Sequence, residues 1–209
     1  MSDLELDRAR RQATVDEGVA MAPVEAELKE QRTRLIDTAG VLRYLFQKKK
    51  MRSVLVPWNF PLGLADRLRR LSVRIVPSSQ SFFPEREIKT QDEVRDITRA
   101  QRAAEAGMEA AIAMIREARI SRSWLYQGAA RLTAEMVRER IAAAAMRHGG
   151  LASHTIVACG EQGCDPHEAG RGPLRANRSI ILDIFPRSQS SGYWGDITRT
   201  IVKGKASEP

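Results

Sequence analysis

Two aspartates stand in segments that otherwise read as strand. Asp183 interrupts the apolar run SIILDIF, and Asp196 opens the β-branched segment DITRTIVKG after the turn-forming GYWG. Alternation along the last segment puts Asp196, Thr198 and Thr200 on one face and Ile197, Arg199 and Ile201 on the other. If SIILDIF and DITRTIV are the arms of a hairpin joined through PRSQSSGYWG, both aspartates fall on the same face. Two carboxylates about 4 Å apart repel by roughly 4 kcal/mol at an effective dielectric of about 20, so such a pair calls for a proton, an arginine or a divalent cation. The spacing also allows a plainer reading, in which each aspartate caps its own turn without meeting the other. Upstream, DPHEAGRG presents His167 between a proline and a glycine-bearing loop. Such a histidine is carried by backbone rather than a helix face, which suits a side chain that reaches a substrate; an exposed loop histidine without a task is the alternative.

These residues need elements to position them. Pro23 opens a helical pattern running to about Lys49, SVLVPW suits a short buried strand, LADRLRRL a short helix and SVRIVPS a second strand. Together they suggest a small α/β layer. The serine-rich SSQSFFPE, ending near Pro84, reads as a linker. Thr90 followed by Glu93 makes a capping box, and Val94, Ile97, Ala104, Met108, Ile112 and Ile115 then recur at helical spacing. A further helix spans about Thr133 to Arg147 and stops at Gly149 and Gly150, with His148 suited to the negative end of the helix dipole. HTIVACG, SIILDIF and DITRTIVKG follow as strands.

Composition sets bounds. The 209 residues, 43% hydrophobic, suffice for one ordinary domain or two small ones. No apolar run approaches the roughly 18 residues that span a bilayer, and MSDLELDRARRQ lacks the apolar region of a secretory signal, so a cytoplasmic location without membrane association is expected. Cys159 and Cys164 make neither a disulfide framework nor a four-ligand zinc spacing, and are read as free structural thiols. The net charge of +8 is spread over helix faces where basic residues alternate with Glu. Aromatics are 5% of the chain and none is interleaved with the basic run Lys48 to Lys50, so nucleic acid is not expected as the main partner.

The order TIVACGEQGCDPHEAG, ANRSIILDIF, SGYWGDITRTIVKG resembles the first half of the pita-bread metallopeptidase domain, in the Xaa-Pro aminopeptidase and Xaa-Pro dipeptidase branch that includes creatinase. EREIKTQDEVRDITRAQRAAEAGM is similar to the opening helix of that domain, and the preceding part resembles, in shortened form, the family's smaller amino-terminal domain. The resemblance implies an α+β chain: a shortened creatinase-like α/β domain over 1–84, then a partial pita-bread catalytic domain over 85–209. It implies Asp183 as the terminal ligand of one metal, Asp196 as the bridge between two, His167 as the substrate-side histidine at the scissile peptide, and Thr198 as a hydrogen-bond donor to a ligand. Two divalent ions, with Mn favoured by oxygen ligation and Co or Zn acceptable, would polarise the carbonyl and lower the pKa of a bridging water. The substrate implied is a peptide with proline at its second position, cleaved before that proline.

The interval between Asp183 and Asp196 is slightly longer than usual in the family, with Pro186 and RSQSS in the extra length. The family also draws another histidine and two glutamates from the later half of its domain. The sequence is therefore expected to be a carboxy-terminally truncated copy, weakly active or inactive alone, with a homodimer or a complementing carboxy-terminal half as its partner. The alternative is a non-catalytic peptide- or protein-binding module derived from the same fold.

Overall fold

The computed structural model describes residues 3–13, 16–31 and 36–206, and the chain divides into two compact units, Met1–Glu87 and Ile88–Pro209. In the first unit, helices α1 (Asp3–Gln12), α2 (Met21–Glu30) and α3 (Thr38–Lys48) precede strand β1 (Ser53–Val56), helix α4 (Leu62–Arg70) and strand β2 (Arg74–Pro77). The single helix expected from Pro23 to Lys49 is corrected to two. α2 closes at Gln31, and α3 starts afresh at Asp37, whose extended backbone (φ −126°, ψ 178°) lets its carboxylate accept the Gly40 N–H at 2.7 Å. The middle of the expected helix, 32–35, lies outside the described residues. β1 and β2 pair in parallel, joined through α4, and Ala39 of α3 with Ala65 and Leu68 of α4 cover Val56 and Ile75 of that small sheet. Val24 and Leu28 of α2 pack on Val41 and Tyr44 of α3.

The segment read as a linker runs into a short 3-10 helix, Pro84–Glu87. The second unit then opens with α5 (Gln91–Glu117), started by the expected capping box: the Thr90 hydroxyl accepts the Glu93 N–H at 3.3 Å, and the Glu93 carboxylate accepts the Thr90 N–H at 2.7 Å. Ala100, Ala103, Ala104, Gly107 and Ala111 make a small-residue stripe on its buried face. That stripe lets α6 (Ala134–Arg147) come close: a Cβ at Gly107 would sit 3.1 Å from the Ile141 side chain. Between the helices lie β3 (Arg119–Ser121), β4 (Trp124–Gln127) and β5 (Ala130–Arg131), an antiparallel sheet that the sequence reading left unassigned although Gly128, at φ +60°, marks its β4–β5 turn. After α6 come β6 (Gly150–Leu151), β7 (Ile156–Cys159), β8 (Ser179–Ile184), β9 (Arg187–Ser188) and β10 (Ile197–Val202).

β7, β8 and β10 form one antiparallel sheet in the order β10–β8–β7. Ile180, Leu182 and Ile184 of β8 are fully buried beneath α5 and α6, alongside Met108, Ile115, Val137 and Ile141. Each such burial contributes about 1.5–3 kcal/mol, and together they fix which face of β8 turns inward. Asp183 therefore faces the other way, and a slip of one residue would drive its carboxylate into the core. Ile197 and Ile201 of β10 also pack inward, so the outward face of that strand is Thr198 and Thr200 rather than apolar. Among the described residues no helix is long and apolar enough to cross a membrane.

One carboxylate joins the start of α5 to the loop before β10: Glu93 also accepts the Tyr193 hydroxyl at 2.7 Å. Donation from the Thr90 backbone first, and from Tyr193 next, pulls the Glu93 carboxyl from 4.5 down to about 2. Because the folded-state value is the lower one, the stabilisation is complete above about pH 4.5 and is lost as pH falls toward about 2. Melting temperatures measured across that window should fall more steeply for the wild-type chain than for Glu93→Gln; parallel curves would show that the carboxylate is not held as described.

Candidate functional site

The register of β8 on β10 sets Asp183 directly opposite Thr198, and the Thr198 hydroxyl donates to the Asp183 carboxylate. On its other side Asp183 is paired with Ile156 of β7. Asp196 precedes β10 by one residue and lies two before Thr198, where continuation of the ladder would make it a diagonal neighbour of Asp183. In a regular ladder such neighbours stand roughly 7–8 Å apart. Their repulsion is then about 2 kcal/mol at an effective dielectric of about 20, half the value for carboxylates in contact, and a cation between them can bind both. The structure thus brings Asp183 and Thr198 together, with Asp196 one residue before β10. Among the described residues there is no group of three or more His, Cys, Asp and Glu side chains that would close around a metal ion.

Asp196 owes its position to α5. Its N–H donates to the Gln101 side-chain carbonyl at 2.9 Å, and the Gly195 N–H donates to the Pro186 carbonyl at 3.0 Å. Gly195 lies so close to α5 that a Cβ there would stand 2.3 Å from the Ala100 carbonyl oxygen. The intervening loop is closed on itself: Ser188 donates to the Tyr193 carbonyl at 2.7 Å, Gly192 to the Ser188 carbonyl at 3.0 Å, and Arg187 bridges to Trp194. β9 is in turn paired with β6. The loop that carries Pro186 and RSQSS is thereby absorbed between β8 and β10.

His167 is presented differently. Its side chain is 93% exposed, its N–H donates to the Asp165 carboxylate at 2.9 Å, and its Nδ1 lies 3.9 Å from the same carboxylate. Its hydrogen-bond partner is Asp165 rather than Asp183 or Asp196. The following residues run beside β7, on the side away from β8, with the Val157 N–H donating to the Ala169 carbonyl at 2.9 Å. Gly170, at φ +80°, comes so near that a Cβ would lie 1.8 Å from the Val157 oxygen. From α6, Arg138 donates to the carbonyls of Ala169 and Gly170, both at 2.7 Å, and Glu135 accepts the Gly172 N–H at 3.0 Å. Burial raises the Glu135 carboxyl, but donation from its own N–H and that of Gly172, with Thr133 and Arg138 adding to it, leaves it below its ordinary value.

Sequence reading had passed over Gln101, Gly195, Arg138 and the Glu93–Tyr193 contact, because each acts on a partner distant in the chain. Gly195 alone had a local signal, the Gly-Asp step before a β-branched run. Gly195→Ala should cost roughly 1–3 kcal/mol, since backbone rather than a flexible side chain must yield. Denaturant unfolding checks this; a neutral substitution would mean that α5 does not hold the aspartate in place.

Residues 95–209 match metallopeptidase family M24. No curated protein matches the chain significantly. Among solved structures it is similar to an Xaa-Pro dipeptidase from Bacillus anthracis (TM-score 0.77, 19% identity, covering 100% of this chain and 52% of that one). It is similar also to an X-Pro aminopeptidase from Thermotoga maritima MSB8 (TM-score 0.71, 17% identity, 99% and 53%) and to a prolidase from Pyrococcus furiosus (TM-score 0.70, 18% identity, 100% and 53%). The chain spans about half the length of these structures. A small α/β unit followed by an α+β unit with this sheet, matched over more than half of its residues, belongs to metallopeptidase family M24 and takes part of that family's pita-bread fold.

Proposed function

We propose that this chain carries one side of a dinuclear metal site in a cytoplasmic Xaa-Pro peptidase, acting on peptides with proline at the second position. The observation that supports this most is the shared face of Asp183 and Asp196 with Thr198 bonded to one of them. The donors fit a divalent cation: both are carboxylates, and oxygen ligation favours Mn over softer ions, with Co or Zn acceptable. Asp183 would hold one ion and Asp196 would bridge to a second. Thr198, by donating to one Asp183 oxygen, limits rotation of the carboxylate and leaves the other oxygen for the cation. When bound, such ions supply an activated water and a polarised carbonyl. His167, exposed on a loop clamped by Arg138, would meet the peptide near the bond that is cut. Two carboxylates alone bind a divalent ion weakly, so turnover by this chain alone is expected to be slight.

Binding to the folded state alone raises its stability as RT ln(1 + [L]/Kd). Millimolar Mn should therefore raise the melting temperature of the wild-type chain slightly, and Asp183→Asn should abolish that response while leaving the metal-free protein equally or more stable. An equal Mn shift in both proteins, or a strongly destabilised metal-free variant, would show that Asp183 serves only its own strand.

A further inference from the structure

A cleft of about 630 Å³ in the second unit lies at the opposite end of the β10–β8–β7 sheet from the aspartates, where Cys159 pairs with Ile180 and Val202 with Ser179. Its walls include Trp124, Arg171, Arg175 and Arg178. Two guanidinium groups share the Trp124 ring, Arg131 at 4.8 Å and Arg175 at 5.0 Å from its centroid. Arg131 also donates to the Tyr126 hydroxyl at 3.4 Å, and Arg119 lies over the Tyr126 ring at 5.3 Å. Cross-strand pairing explains the alternation, since Tyr126 stands opposite both Arg119 and Arg131, and Trp124 opposite Arg175. The outcome is a row of arginines and aromatics on one face of β3–β4–β5 that leads into the cleft.

This row joins arginines stacked on aromatic rings to a cleft, and its arginines have no carboxylate partner among the described residues. Several arginines elsewhere have acidic partners three residues away, as in Arg69–Asp66, Arg95–Asp92, Arg99–Asp96, Arg138–Glu135 and Arg171–Glu168. Arg119, Arg131, Arg175 and Arg178 form no such pair among the described residues, and of the acidic side chains only Glu161 lines the cleft. The backbone beneath is firmly held: Arg175 donates its N–H to the Cys159 sulfur at 3.3 Å, while Leu174 and Ala176 bond to Leu132 and Ser123 at 2.9 and 3.1 Å. Arg175 is thus a guanidinium fork already oriented by an aromatic face and a fixed backbone, with Arg178 three residues on in the same wall.

We propose that this cleft is a binding site for a phosphate-bearing small molecule of nucleotide size, separate from the aspartate face. Arg175 and Arg178, without carboxylate partners in one wall, suit a ligand that carries more than a single negative charge, and phosphate offers several oxygens to planar forks. The cleft volume falls within the range of small-molecule sites, and Trp124 provides an apolar wall for an organic portion.

The test is titration of the whole chain with ADP and, separately, with pyrophosphate, followed by calorimetry. Saturable one-to-one binding of ADP, with pyrophosphate competing, is expected. Arg175→Ala and Arg178→Ala should each weaken it by roughly tenfold, the effect of losing one charge-assisted hydrogen bond. Arg175→Lys, which keeps the charge and loses the fork, should weaken it measurably. Arg99→Ala, removing a charge already paired with Asp96, should bind as wild type does, and unchanged melting of the Arg175 variants in the absence of ligand confirms that they fold. Pyrophosphate binding without any gain from the nucleoside would leave the phosphate claim standing and overturn the nucleotide-sized one. Binding of oligonucleotides or of poly-glutamate but not of ADP, or ADP binding indifferent to Arg175 and Arg178, would overturn the proposal. None of these outcomes depends on the aspartates.

Discussion

The pairing of β8 with β10 is the constraint on which the rest of the second unit turns. A strand has a side-chain period of two, so every residue of β8 is committed once Ile180, Leu182 and Ile184 enter the core. That single choice puts Asp183 outside and sets Thr198 across from it, two residues after Asp196. The apolar energy of three buried side chains exceeds the repulsion of two carboxylates at diagonal spacing, so the core decides the register and the acidic face follows from it. Polar chemistry here is positioned by apolar packing on the reverse of the same strand.

Helix α5 supplies the second constraint, working from the other side. Its small-residue face admits α6 and the sheet, and its flank reaches the hairpin loop at two points: Gln101 takes the Asp196 N–H, and Glu93 takes the Tyr193 hydroxyl. Glu93 also closes the capping box that starts the helix, so one carboxylate couples helix initiation to the loop that delivers Asp196. The contact at Gly195 completes this arrangement, because the loop can pass α5 only where no Cβ stands in the way.

Much of this was legible in the residues. The Thr90–Glu93 box, the helical spacing of α5, the α6 span and the strands β7, β8 and β10 follow from period and capping chemistry, and alternation sets Thr198 and Thr200 on one face of β10. What escaped was of two kinds. The break between α2 and α3 was missed because the apolar pattern runs through it, while Asp37, the cap that ends the ambiguity, reads equally as a surface acid. The β3–β4–β5 sheet was missed because its strands are short, and its arginine–aromatic row is assembled only when Arg175, far along the chain, joins at Trp124. Pairwise reach across the fold, as between Gln101 and Asp196, leaves no periodic trace in sequence.

The central claim is that Asp183 and Asp196 address one cation from one face. Paramagnetic broadening by substoichiometric Mn, read from the backbone amide resonances of the labelled chain, tests it most directly. The account predicts that the signals of Asp183, Asp196 and Thr198 fade together, while the indole of Trp124 at the far end of the unit stays sharp. Broadening at one aspartate without the other, or spread evenly over surface carboxylates, would contradict it.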